Sequence, residues 1–138
     1  MERTLVLIKP DGVRRGLTGE ILRRFENRML VVKALKILIP SKELVERHYE
    51  IHRGKYFFDR VVAYVASDAV VAMVLEGENV IMVVRQMMGE KEPLAALPGT
   101  IRGDFALTVR ENIIHGSDSP ESAQREIEIW FHTDEILV

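Results

Sequence analysis

Strand-type and helix-type hydrophobic patterns alternate from one end of this chain to the other, and that restricts the fold to a sheet with helices packed on it. Leu5 to Ile8 is a short β-prone run that stops at a turn signal, Lys9-Pro10-Asp11-Gly12. Ile21, Leu22, Phe25 and Met29 then recur at helical spacing, and Leu30 to Ile39 reads as a second strand closed by Pro40. Ser41 is placed to cap a helix with Leu44, Val45 and Tyr49 on one face, and Phe58, Val61, Val62 and Val65 form another helical stripe. Ala69 to Leu75 is a continuous apolar run between Asp68 and Gly77, as expected of a buried central strand. Val80, Val84, Met87 and Met88 mark a helix ended by Gly89. From Gly89 to Asn112 there is little regular pattern, and loops of that length inside a compact domain are usually functional. A short apolar run reaching His115 follows, then a helix with Ser119 as its cap, Pro120 at its first position, and Ala123, Ile127, Trp130 and Phe131 facing the core. The core elements read β-α-β and again β-α-β, with extra helices after the second strand. Two such halves imply an α+β fold of the ferredoxin-like split βαβ type, a four-stranded antiparallel sheet with helices packed on it. The length suits one domain over residues 1–138.

Composition removes several classes of function. The chain has no cysteine, so disulfides, thiol nucleophiles and Cys-type zinc sites are excluded. A formal charge of −2 argues against a general nucleic-acid binder, and no strand shows a basic-aromatic face. His48 and His52 stand four apart without a third ligand in pattern and read as a solvated helix face rather than a metal site. No apolar run approaches the roughly 20 residues of a membrane span. Met1-Glu2-Arg3-Thr4 runs directly into a strand-like segment without a basic leader or cleavage site, so a cytoplasmic protein is expected.

The segment Asn112-Ile113-Ile114-His115-Gly116-Ser117-Asp118-Ser119 holds a histidine at the end of an apolar run, just before a turn and a helix start. Imidazole is nucleophilic near neutral pH without a second base. The segment by itself leaves open a core or turn histidine. Glu126 lies on the following helix, where its carboxylate could fix the tautomer of that imidazole, although periodicity alone reads it as exposed. Neither a G-x-x-x-x-G-K-[ST] nor a G-x-G-x-x-G motif is present, so any phosphate must be held by side chains. Lys9 at a strand end, Arg85 near a helix end and Arg102 in the irregular stretch could converge on one pocket, though singly each reads as a surface charge. Tyr49 and Phe57 read first as core aromatics; at a cleft, such a ring could stack on a nucleobase.

Three stretches together resemble nucleoside diphosphate kinases: Ile8-Lys9-Pro10-Asp11-Gly12-Val13, Pro98-Gly99-Thr100-Ile101-Arg102-Gly103-Asp104-Phe105, and the His115 segment. The resemblance runs from Arg3 to Phe131 in the family's order. It implies ping-pong transfer of a γ-phosphoryl group through a phosphohistidine at His115, both nucleotides using one site in turn. It further implies that Lys9, Arg85 and Arg102 contact phosphates, that Tyr49 helps to position Lys9, and that Phe57 with Val61 forms the base slot. By the same resemblance, Asn112 binds near the ribose, Ser117 and Glu126 support the imidazole, and Mg2+ bridges the phosphates. ATP and other nucleoside di- and triphosphates are the implied partners, and a homo-oligomer, tetramer or hexamer, the implied assembly.

The chain departs from the family pattern in three places. Lys91 stands where a phosphate-touching threonine is common, Met29 where glycine is usual, and Asp68-Ala69 where Gly-Pro is usual. If position 29 needs a positive φ, methionine there costs about 1 kcal/mol or more. The alternative to an active phosphotransferase is a nucleotide-binding or interaction module with the same fold and weak turnover, and Lys91 is the only catalytic-region feature that favours it.

Overall fold

The computed structural model describes residues 1–138. Strand β1 (Glu2–Ile8) leads into a short helix α1 (Pro10–Arg14) and then α2 (Thr18–Asn27) and β2 (Val31–Leu38). Helix α3 (Lys42–His48), a 3₁₀ turn (Glu50–His52) and α4 (Phe58–Val65) intervene before β3 (Val70–Gly77). Helices α5 (Val80–Met88) and α6 (Ile101–Phe105) then precede β4 (Ile114–Gly116), α7 (Pro120–Trp130) and a last 3₁₀ turn (Thr133–Glu135). The sheet order is β2-β3-β1-β4 with every pairing antiparallel, which is the ferredoxin-like arrangement expected from the two β-α-β halves.

Helices cover both faces of the sheet. In β1, Val6 and Ile8 pack on the face covered by α2 and α5, where Ile21, Phe25, Val80 and Val84 meet them. Leu5 and Leu7 pack on the opposite face against Val45, Val62, Val65 and Trp130 of α3, α4 and α7. The same alternation in β3 sends Val71, Met73 and Leu75 one way and Val70, Ala72 and Val74 the other. Burial on both faces is why β3 has no polar positions until Glu76, and why it reads as one apolar run. None of the helices is long and apolar enough to cross a membrane.

Two local expectations are corrected. Pro10 opens helix α1 rather than a turn, since its fixed φ and missing N–H suit a first helical position. The irregular stretch contains α6, whose cap is Thr100, with Oγ1 accepting from the Gly103 N–H at 3.0 Å. Gly103 is required there, because a Cβ would lie 1.9 Å from the Leu97 carbonyl oxygen. Salt bridges and hydrogen bonds tie this stretch down: Asp104 takes the Gly99 N–H at 2.8 Å and an Arg24 guanidinium N–H at 2.8 Å.

Candidate active site

In the β1–β4 ladder His115 lies opposite Leu7, and cross-strand partners share a face. The histidine therefore projects to the side covered by α3, α4 and α7. There His115 Nε2 lies 2.9 Å from Glu126 Oε1, and the same oxygen accepts the Ser117 hydroxyl at 2.7 Å. Glu126 is 5 % exposed, so the reading of it as an exposed helix residue is corrected: α7 packs this side inward. A carboxylate oxygen accepts, so Nε2 carries the proton and the lone pair of His115 is left on Nδ1. Ser117 is buried and supports the ring through Glu126 rather than by touching it.

The backbone before the histidine is bent hard. Ile113 has φ of +75°, and the Ile114 N–H reaches back to the Asn112 carbonyl at 2.8 Å, a γ-turn with a β-branched residue at its centre. Its fully buried side chain packs in the core and its carbonyl accepts the Lys9 N–H at 2.7 Å. Helix α1 closes on this turn at Gly12, where a Cβ would meet Ile8 Cγ2 at 2.7 Å and Ile113 Cγ2 at 3.0 Å.

Around the histidine opens a cleft of about 700 Å³. It is lined by ten of the eleven residues singled out in the sequence; Ser117 alone stands behind the wall. The Lys9 ammonium donates to Asn112 Oδ1 at 2.9 Å, and the Asn112 amide in turn reaches the Lys91 carbonyl at 3.5 Å. Tyr49 lines the cleft, but its hydroxyl makes no hydrogen bond to Lys9, whose partner is Asn112. Phe57 and Val61 stand one turn apart at the start of α4 and present a common apolar surface. Arg85 extends from α5, with one weak bond to the Gly116 carbonyl at 3.4 Å.

Arg102 is placed differently from a surface phosphate contact. It is 7 % exposed and donates to the carbonyls of Ile114 at 2.7 Å, Gly89 at 3.1 Å and Asn112 at 3.3 Å. Those bonds clamp the histidine segment to the irregular stretch, and two of its five N–H groups remain unused. Seven Lys and Arg side chains line the cleft against three carboxylates, in a chain whose overall charge is −2. The crowding shows in the ionisation of its members. Burial, and then the Arg102 charge, push the Lys9 ammonium down to about 8. Burial, and then Arg85, push Arg102 down to about 10. These cations oppose one another until an anion enters.

His48 and Trp130 adjoin the nucleophile, although sequence reasoning placed one on a solvated helix face and the other in the core. The reading of His48 as solvated is corrected: it is 2 % exposed, its ring centroid lies 4.6 Å from that of His115, and its Nδ1 accepts the Trp130 Nε1–H at 2.9 Å. Burial, then His115 and Arg125, hold its pKa well below the usual imidazole range. His48 stands three positions after the core residue Val45, and that spacing was the signal that it faces inward. Asp11 is likewise buried, and accepts the Tyr64 hydroxyl at 2.6 Å across the top of α4.

A family model described as nucleoside diphosphate kinase matches residues 2–136 of this chain. Over 137 residues the chain is 59 % identical to a nucleoside diphosphate kinase of Thermus thermophilus, covering 99 % of this chain and 100 % of that one. Its identity to the enzyme of that name from Pelotomaculum thermopropionicum is 53 % over 137 residues, with 99 % and 92 % covered. Among solved structures, a nucleoside diphosphate kinase family protein from Babesia bovis superposes with a TM-score of 0.98 at 40 % identity, covering 100 % of this chain and 93 % of that one. A halophilic nucleoside diphosphate kinase from Halobacterium salinarum, in complex with CDP, gives 0.96 at 43 % identity, with 99 % and 91 % covered.

Proposed function

Because this chain belongs to the nucleoside diphosphate kinase family, a family of phosphotransferases, we propose that His115 is the nucleophile of its ping-pong reaction and that Nδ1 is the attacking atom. The observation that carries this reading is the pair His115 Nε2–Glu126 Oε1 at 2.9 Å, which leaves the Nδ1 lone pair beside a group of mutually repelling cations.

In the first half-reaction Nδ1 attacks the γ-phosphorus of a nucleoside triphosphate. The N–P bond forms, the bond from phosphorus to the β,γ-bridging oxygen breaks, and the nucleoside diphosphate leaves with that oxygen. In the second, a terminal oxygen of another nucleoside diphosphate attacks the phosphorus and the N–P bond breaks. Glu126 accepts from Nε2–H throughout and stabilises positive charge on the substituted ring. Ser117 keeps the carboxylate in place. Lys9, Arg85 and Arg102 hold the phosphate oxygens, and the transferring group relieves their mutual repulsion. Phe57 and Val61 supply an apolar face for the base, and Asn112 and Tyr49 line the cleft between base and phosphates. Recognition by stacking reads a ring face common to all bases, which supports a broad range of nucleosides. Lys91 is exposed at the mouth and adds a charge that the approaching phosphates meet first.

Carboxylates at the cleft mouth, Asp118 and Glu111, are too few for an all-protein magnesium cage, which fits an ion carried mainly on the nucleotide. Magnesium bound in that way would neutralise part of the phosphate charge. Strand β2 is a sheet edge on which Val31, Leu35 and Ile37, with Ile39 just beyond, are about half exposed or more, which supports self-association there.

The test is incubation with γ-labelled ATP and magnesium, then a chase with unlabelled GDP. The expected result is acid-labile label on the protein that moves to GDP and is absent in His115→Ala. Normal transfer by that variant would remove His115 from the mechanism.

A further inference from the structure

His48, His115 and Glu126 each bring one potential ligand atom to within 4.8 Å of the others. Two imidazoles and a carboxylate form a donor set that zinc or copper takes readily. A metal held there would occupy the histidine on which the proposed transfer depends. What closes this set lies one step behind it. A neutral imidazole has one lone pair, on whichever nitrogen lacks the proton. Indole N–H can only donate, and Trp130 Nε1–H donates to His48 Nδ1 at 2.9 Å, with Trp130 1 % and His48 2 % exposed. The His48 lone pair is therefore on Nδ1 and already engaged, while its proton sits on Nε2.

Neither nitrogen of His48 is then open to a cation. Binding through Nδ1 would displace the Trp130 bond and leave a buried N–H without a partner. Binding through Nε2 would move the proton to Nδ1, where two N–H groups would face each other. Histidines that do ligate metals have the reverse arrangement, with the second nitrogen donating to an acceptor. His115 and Glu126 alone fall short of the three protein ligands of a zinc site.

We propose that Trp130 is a tautomer lock on His48, and that by it the cluster beside the nucleophile is closed to soft divalent cations. Trp130 and His48 are positioning residues in this account: they fix which nitrogens carry protons. Zinc binding reads out the proton positions on His48 independently of turnover. Burial, with His115 and Arg125 nearby, further holds His48 neutral and in need of a single tautomer.

Two measurements test it. Full-length protein stripped of metal is titrated with zinc chloride alone, in competition with a chromophoric chelator. Trp130→Phe keeps an aromatic ring and loses the N–H; it should bind zinc at least about tenfold more tightly than the original chain. The gain should vanish in the Trp130→Phe/His48→Gln double variant. Unchanged zinc affinity in folded Trp130→Phe, or a gain that survives in the double variant, overturns the proposal. The second measurement needs no variant. Nitrogen-15 spectra of the original protein should show His48 with a protonated, pyrrole-type Nε2 and a pyridine-type Nδ1. A proton on His48 Nδ1 overturns the lock whatever the variants do.

Discussion

The two ends of the cleft are built on opposite terms. At the inner end, Glu126 Oε1 is shared by Ser117 and His115, His48 is held by Trp130, and Lys9 is held by Asn112, every one of them by a hydrogen bond of 2.7 to 2.9 Å. At the mouth, Arg60, Lys91 and Arg110 are exposed and their side chains have no hydrogen-bond or ion-pair partner. Groups fixed before the substrate arrives need no reorganisation as charge develops, so their effect falls on the transition state. Mobile, solvated charges act mainly on encounter and are screened by salt. Substitutions should therefore fall in order of depth, with salt sensitivity running the other way.

Glu126→Ala is the deepest change short of removing the nucleophile. It frees His115 to take the wrong tautomer and leaves the Ser117 hydroxyl only the longer bond to the Leu5 carbonyl at 3.4 Å. Phosphohistidine formation is expected to slow by about 10²- to 10⁴-fold. ADP affinity should change little, since the carboxylate faces the ring. Single-turnover labelling and ADP titration together check this; an equal loss in both would make Glu126 a substrate contact.

Lys9 comes next, and it has a pH signature. Its ammonium titrates at about 8, lowered first by burial and then by Arg102. Only the protonated form attracts phosphate, so kcat/KM of the free enzyme should fall as pH rises through about 8. Lys9→Ala should lose about 10²-fold and also lose that inflection. Stability moves the other way. The unfolded chain binds more protons than the folded one between about 8 and the ordinary lysine value of 10.5, so stability rises with pH across that window. Lys9→Met, which removes the half-buried charge, should raise Tm at neutral pH while activity collapses. A lower Tm would show that the Asn112 bond outweighs the burial.

The same division decides what was legible in the sequence. Periodicity gave the strands and most helices because two-sided burial imposes it: Val71 and Met73 pack one way, Ala72 and Val74 the other. It could not give α6, five residues long and too short for a period to show, or the opening of α1 at Pro10. The charged site residues were legible as types and, through the family resemblance, as a set. Their partners were not. That Arg102 spends three bonds on backbone carbonyls depends on how the irregular stretch folds back on its neighbours, and that Lys9 pairs with Asn112 depends on a contact between segments 103 residues apart. His48 was misread because a polar residue on a helix defaults to the wet side. Only its spacing from Val45 argued otherwise.

At the mouth, Lys91→Thr should change kcat/KM by no more than about threefold at physiological salt, in keeping with an exposed, unpaired charge. The difference should grow at low salt and shrink at high salt. A salt-independent loss of tenfold would move Lys91 into the inner group, as a direct phosphate ligand.

The smallest effect is expected farthest from the cleft, and it sharpens the comparison through strain rather than charge. Met29 and Ile113 both have positive φ, +69° and +75°. Ile113 is buried at the base of the histidine segment, where its carbonyl holds Lys9 and its side chain fills core beside Gly12. Met29 lies two residues beyond α2 and is 86 % exposed, so its side chain returns almost no packing for the backbone conformation it bears. Replacing it with glycine should release about 1.5 kcal/mol of strain and lose roughly 0.8 kcal/mol to glycine's freedom in the unfolded chain. The net is roughly 0.7 kcal/mol, or a Tm higher by about 2 °C, with unaltered transfer. Ile113→Gly releases similar strain but empties a core position, which costs several times more, about 2 to 5 kcal/mol. Met29→Gly should therefore stabilise and Ile113→Gly destabilise, by thermal melts under one condition. If both stabilised, the bend before His115 would be held by its surroundings without help from the Ile113 side chain, and the inner end would be less tightly built than its hydrogen bonds indicate.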